Sequence, residues 1–389
     1  MKILLIHNYY QQPGGEDQVF SAESNMLKKH GHEVRLFTVH NDRIKGMNSL
    51  TVARNALWNT TIASDLREVI RKVRPDVIHF HNTFPFISPA AYCAAKAEGV
   101  PVVQTLHNYR FLCPNALFFR NGHICEDCMG KFALWLSVLH ACYRKSRAAT
   151  SVTAGMLSVH RVLRTYSRMV DRYIALTDFA RQKFIQGGLP AEKIAVKPNF
   201  VDPDPGTGNG RGGYALFVGR LTQEKGINTL LSAWEKIGGS IPLKIVGDGP
   251  LASRVAEASR RISGIEWLGH KPRQLVLDLM KDAAVLIFPS VWYEGFPVTI
   301  VEAYSVGLPV IASNLGAMSS IIDHKRTGLH FRPDDPDDLA KKVEWIISHP
   351  AELERMRQEA RAEYEVKYTP ERNYKMLMDI YESAMACTY

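Results

Sequence analysis

The sequence predicts an α/β protein made of two Rossmann-like domains, each a doubly wound parallel sheet. Short apolar runs alternate with longer helical stretches, the rhythm of strands joined by crossover helices. That series runs through twice, on either side of a proline- and glycine-rich segment at 197–213. At 389 residues the chain exceeds one ordinary core and suits two domains.

Residues 3–6 are apolar throughout, as in a parallel strand covered on both faces. Helical sequence continues to about Lys29, and Gly31 turns the chain into a strand at 34–39. Further strands are predicted at 76–80, 102–105, 173–176 and 194–196. The break then holds Pro198, Pro203, Pro205 and five glycines, which is linker composition. The second series is expected at 214–218, 243–246, 265–268, 285–288 and 310–312, and helix from Pro370 onward. The domains are thus placed at 1–197, with a cysteine-containing insertion at about 110–145, and at 198–369, with a terminal helix at 370–389. A ligand cleft is expected between the two sheets.

The net charge of +9 favours anionic partners. No apolar run reaches the ~20 residues of a bilayer span, and the start of the chain lacks a signal-peptide pattern, so a cytoplasmic chain is expected. Between 129 and 170 there is no Asp or Glu, while Lys131, Arg144, Lys145, Arg147, Arg161, Arg164 and Arg168 stand among Trp135, Leu136, Val138 and Leu139. Such a stretch suits the anionic inner face of a membrane, and equally a packed helix pair with a solvated basic face.

Gly219-Arg220-Leu221, with Lys225, follows a buried strand and precedes a helix. Glycine permits the tight turn, the guanidinium offers a planar fork to two phosphate oxygens, and Lys225 adds a mobile charge. Fixed cations there would suit a diphosphate and favour any negative charge that develops on it. In Glu294-Gly295-Phe296-Pro297 a turn precedes a helix at 298–305, and Glu302 stands eight residues after Glu294. The helix start favours an anion, and carboxylates accept hydrogen bonds from sugar hydroxyl pairs. Gly14-Gly15-Glu16 opens the first helix, where glycines allow close backbone approach to a phosphate. Val246-Gly247-Asp248-Gly249-Pro250 and Leu268-Gly269-His270 are weaker candidates beside a base or ribose. His107 ends a strand and is followed by Asn108, and His7 and His81 hold similar positions. Cys113, Cys125, Cys128 and Cys142 include a Cys-x₂-Cys spacing that suits a closed four-thiolate zinc, whereas Cys93 and Cys387 stand apart.

In this order these segments resemble the retaining sugar-nucleotide transferases of glycosyltransferase family 4, which have the GT-B fold. The resemblance implies that Arg220 and Lys225 hold the donor diphosphate, Glu294 the donor sugar and Glu302 the ribose. It also implies that Phe296, Pro297 and Val298 present backbone amides, that Gly14, Gly15 and Gly219 adjoin the donor, and that Asn199 lines the cleft. His107 would lie near the acceptor hydroxyl, and the terminal helix would cross back to the first domain. The donor would be a UDP- or GDP-sugar, the acceptor a glycan or lipid-linked glycan in cell-surface polysaccharide synthesis, and the chemistry metal-independent. Ser320 stands where the family often has Glu, which puts one donor contact in doubt. A sugar-nucleotide 2-epimerase of the same fold is the alternative enzyme. A basic zinc-ribbon module for nucleic acid would leave the second-domain motifs without purpose, so no nucleic-acid partner is expected. Paired carboxylates also suit a glycoside hydrolase, which would not require Arg220 and Lys225.

Overall fold

The computed structural model describes residues 1–11 and 14–386, so Cys387 lies outside the described residues. It divides into two compact units, one of 1–118, 126–199 and 373–389, the other of 119–125 and 200–372.

The first unit holds a six-stranded sheet of β1 (Lys2–Tyr9), β2 (Glu33–His40), β3 (Val77–Phe80), β4 (Val102–Leu106), β7 (Arg172–Ala175) and β8 (Ile194–Val196), in the order β2-β1-β3-β4-β7-β8. Every pairing is parallel. Its middle strands are buried on both faces, with Ile3, Leu4, Leu5, Val77, Ile78, Val102 and Val103 inaccessible to solvent. That is why they read as unbroken apolar runs rather than alternating ones. Helix Pro370–Met385 docks most of its length here. Tyr381 Oη lies 2.8 Å from His79 Nδ1, and Arg172 Nε donates to Ser383 Oγ at 2.8 Å.

The second unit repeats the plan with β9 (Ala215–Val218), β10 (Leu243–Val246), β11 (Ile265–Gly269), β12 (Val285–Phe288), β13 (Val310–Ser313) and β14 (Gly328–Phe331), ordered β11-β10-β9-β12-β13-β14 and all parallel. Trp234 is fully buried beneath this sheet and its indole donates to Ile241 O at 3.0 Å.

Three features depart from the sequence reading. Strand β14 was not expected: its run Gly328–Phe331 opens on glycine and contains His330. The insertion carries a small antiparallel hairpin, β5 (Phe119–Arg120) with β6 (His123–Ile124), too short for a periodic signal. The glycine-rich break is not a loose linker. A Cβ at Gly208 would stand 2.2 Å from Lys281 O, Gly208 N–H donates to Val306 O, and Gly212 N–H donates to Asp282 O. Those glycines serve close backbone approach within the second unit, a use that composition does not distinguish from flexibility.

Candidate active site

In the second unit the strand order reverses around β9, which has β10 on one side and β12 on the other. In open parallel sheets ligands gather at the carboxyl ends of strands at such a switch point. The loops after β9, β10 and β12 are the three motif-bearing segments. Close backbone contacts bind them together: Leu221 N–H donates to Asp248 O at 2.9 Å and Val291 N–H to Glu224 O at 2.9 Å. Two glycines make this approach feasible. Gly226 has φ +71° and a Cβ there would fall 1.9 Å from Pro289 O, and Gly247, at φ +143°, would meet Gly219 O at 1.9 Å. Only glycine satisfies both the positive φ and the missing volume.

Across this junction Lys225 Nζ donates to Glu294 Oε1 at 2.7 Å. The same oxygen accepts from Ser290 Oγ at 2.6 Å and Trp292 Nε1 at 2.8 Å. Lys225 also lies 5.4 Å from the Phe288 ring centre and 5.6 Å from that of Trp292. Glu294 is 5% exposed, so its charge depends on these donors. Glu302, one turn into helix Val298–Ser305, accepts from Arg273 Nε at 3.0 Å. Arg220 differs from all of these: it is exposed, and among the described residues its guanidinium has no hydrogen bond or ion pair.

The amide donors need correcting. Pro297 has no N–H, and Val298 N–H is committed to Phe296 O at 3.0 Å, with Ile300 N–H to Pro297 O at 2.9 Å. Among the described residues, Thr299 is the amide of the first turn with no bond to the preceding loop. Ser290, Trp292 and Arg273 were missed. They belong to no motif and become visible only as partners of Glu294 and Glu302.

In the first unit the loop Gly14-Gly15 opens helix Gly15–Lys29. Asp17 ties it down: Oδ2 accepts from Gly14 N–H at 2.8 Å and Oδ1 pairs with His7 Nε2 at 2.7 Å. Among the described residues, a Cβ at Gly14 or Gly15 would meet nothing within 4 Å, so their packing does not demand glycine there. Glu16 Oε1 accepts from Asn108 Nδ2 at 2.6 Å. Burial pushes the Glu16 carboxyl up, against the pull of hydrogen bonds from Asn108 and Tyr10. Asn199 is 3% exposed, and among the described residues its Oδ1 has no hydrogen-bond partner.

His107 is held by a buried chain of groups. His81 Nδ1 lies 2.9 Å from His107 Nε2, and His81 Nε2 lies 3.1 Å from Glu23 Oε1. Glu23 Oε2 accepts from Lys197 Nζ at 3.0 Å, and Lys197 Nζ also donates to Asn373 Oδ1 at 3.0 Å. Burial alone would raise the Glu23 carboxyl, but Lys197, His79 and His81 together hold it well below the usual range. Burial and the neighbouring His79 push His81 down to about 3, and burial with His81 likewise lowers His107. Both imidazoles are therefore neutral beside an ionised carboxylate. A carboxylate only accepts, so His81 donates from Nε2 and its bare Nδ1 accepts from His107 Nε2–H. The chain thereby sets the His107 tautomer, leaving its Nδ1 as an acceptor.

Donor atoms of Glu23, His79 and His81 also lie within 4.8 Å of one another, close enough to share a metal ion. The Lys197 ammonium already occupies the Glu23 carboxylate, and His79 bonds Thr105 and Tyr381 at 2.7 and 2.8 Å. A second cation there would face an adjacent buried charge, so these groups read as a hydrogen-bond network. Of the four cysteines, Cys113 and Cys128 are buried and Cys142 half-buried in the first unit, while the half-buried Cys125 belongs to the second.

Two family profiles account for most of the chain: Glycosyltransferase Family 4 matches residues 13–205 and Glycosyl transferases group 1 matches residues 205–363. The chain belongs to the group 1 glycosyltransferases of family 4. An uncharacterized glycosyltransferase of Methanocaldococcus jannaschii is 31% identical over 175 residues, 44% of this chain and 45% of that one. A Mycobacterium tuberculosis glycogen synthase is 25% identical over 300 residues, 75% of this chain and 64% of that one. The chain thus spans about half to under two thirds of these relatives' lengths. Among solved structures, Anabaena Alr3699/HepE in complex with UDP superposes with a TM-score of 0.71 at 17% identity, covering 98% of this chain and 100% of that one. The fold of this family 4 member is GT-B, with two parallel-sheet α/β domains. Within the family reading, Arg220, Lys225, Glu294 and the start of helix Val298–Ser305 cluster in the second unit, and Glu302 lies one turn further along that helix. Gly14, Asp17, His81 and His107 lie at the carboxyl ends of β1, β3 and β4 in the first.

Proposed function

We propose that the chain is a retaining hexosyltransferase that moves a sugar from a nucleoside-diphosphate donor to an acceptor hydroxyl in polysaccharide or lipid-linked glycan synthesis. The observation that carries this is the switch-point cluster of the second unit. There an uncommitted Arg220 stands beside a Lys225–Glu294 pair that a diphosphate and a sugar can divide between them. On binding, diphosphate oxygens would replace Glu294 as partner of Lys225, freeing the carboxylate for sugar hydroxyls. Glu302 would exchange Arg273 for the ribose.

As the bond from the anomeric carbon to the phosphate oxygen breaks, negative charge grows on the diphosphate. Arg220, Lys225 and the helix start would stabilise that charge more than the ground state. No carboxylate is assigned as a nucleophile, so attack comes from the face the diphosphate leaves. The acceptor oxygen bonds the anomeric carbon, and its proton passes to the departing phosphate oxygen. His107 Nδ1, fixed as an acceptor, would receive a hydrogen bond from a sugar or acceptor hydroxyl and orient it. The chemistry is assigned no metal.

The donor reading is tested by melting temperature with UDP, GDP, ADP and their sugar conjugates. A ligand present at a hundred times its Kd stabilises the native state by about 2.7 kcal/mol. One diphosphate should raise the melting temperature, and Lys225→Ala should abolish the shift. No shift with any diphosphate at millimolar concentration would overturn the proposal. Product analysis separates transfer from 2-epimerisation.

A further inference from the structure

Exposed apolar side chains of the first unit are concentrated on one face. Helix Arg147–Val162 buries Thr150, Thr153, Met156, Leu157 and His160, yet its other side presents Val159 and Val162, with Leu163 following. Beside it, Ser158 Oγ donates to Phe132 O at 2.7 Å, which brings up Phe132 and the short helix Trp135–Leu139. On the other flank the His160 ring stacks on Trp58 at 5.8 Å, and His160 Nε2 bonds Leu57 O at 3.1 Å. This anchors helix Ser49–Leu57, whose Leu50 is 82% exposed. Phe132, Trp135 and Val162 are 66%, 62% and 67% exposed. Elsewhere in the first unit, among the described residues, only Met1, Leu36 and Met47 are large, apolar and exposed.

The charge around this face has one sign. Lys131, Arg144, Lys145, Arg147, Arg164 and Arg168 are exposed, and no carboxylate occurs from 129 to 170. Between 41 and 58 the one acid is Asp42, which Lys45 pairs at 3.1 Å. A cleft of about 590 Å³ opens at the edge, lined by Lys131, Phe132, Val162 and Arg164 among others, with no acidic residue in its wall.

We propose that this face docks the chain on an anionic lipid bilayer, its apolar residues entering the headgroup–acyl boundary and its cations meeting lipid phosphates. Charge complementarity selects this occupant. In a symmetric pair of copies the face would oppose itself and set cation against cation. A polyanion such as nucleic acid would answer the charge but leave Val159, Val162 and Leu163 without a partner. An anionic leaflet answers both, as amphipathic surface helices do. The docking would hold the enzyme beside a lipid-borne acceptor, a purpose that rests on the transferase reading, although the binding itself does not.

The test is cosedimentation of the full chain with phosphatidylcholine vesicles, with and without phosphatidylglycerol. Binding should require the anionic lipid and weaken with added salt. It should fall at least about tenfold in Phe132→Ser/Val162→Ser and in Lys131→Glu/Arg144→Glu/Arg168→Glu. The melting temperature of each variant, with and without UDP, reports separately on folding and donor binding. Failure to bind anionic vesicles while UDP still stabilises the chain would overturn docking and leave the transferase reading intact. A dimer that the same substitutions dissociate, without vesicle binding, would reassign the face to a second copy.

Discussion

Replacing Arg220 with alanine is expected to lower sugar transfer by about a hundred- to a thousandfold. Removing one preorganised group aimed at developing negative charge has an effect of that order. The experiment is clean because Arg220 is exposed and, among the described residues, its side chain bonds nothing. The melting temperature of Arg220→Ala without ligand should therefore match the parent, while kcat falls more than KM rises. Lys225→Ala should cost activity too, but it also leaves the buried Glu294 without its cation, so activity and stability mix. Arg220→Ala turning over within a few-fold of the parent, with product confirmed, would remove Arg220 from the donor site.

The second large effect concerns stability. Glu23 and Lys197 are each 1% exposed at their side chains and lie 3.0 Å apart. Glu23→Gln leaves a buried ammonium without a counter-charge, and breaking such a pair costs about 3–5 kcal/mol. For a unit of this size that lowers the melting temperature by roughly 10 °C or more. Adding Lys197→Met to Glu23→Gln removes the orphaned charge and should recover most of the loss. A single variant that melts like the parent would show that the pair does not carry this energy.

The same network sets a pH dependence. His81 and His107 have lowered proton affinities in the folded chain, and so has Glu23. Each group binds its proton more readily when unfolded. Stability is therefore full above about pH 6.5 and declines as the pH falls below it, by up to ~1.4 kcal/mol per pH unit for each group that takes up its proton only on unfolding. Melting temperatures should drop between pH 7 and pH 5, and a flat profile over that interval would contradict buried neutral imidazoles.

The sequence by itself determined most of the strands, because a parallel strand covered on both faces is a continuous apolar run whatever its neighbours. It also determined the segments at the carboxyl ends of β9, β10 and β12, because loops that must turn sharply beside another backbone require glycine at fixed places. It marked Arg220, Lys225, Glu294, Glu302 and His107, since each stands in or beside a local motif. Only the tertiary structure decided what those residues touch. Lys225 meets Glu294 from 69 residues away, and Glu302 meets Arg273 from 29 residues away. Glu23, His81 and Lys197 converge behind His107 from the first helix, the end of β3 and the end of β8, with 174 residues between Glu23 and Lys197. Nothing local signals such convergence, because Glu23 sits on a helix face that reads as ordinary and Lys197 in a stretch that reads as linker. Strand order decides it: β1 beside β3 and β3 beside β4 bring His7, His81 and His107 to one edge, and the first helix lays Glu23 across them. Burial supplies the rest, since a charge removed from water must find its partner wherever the fold has placed one.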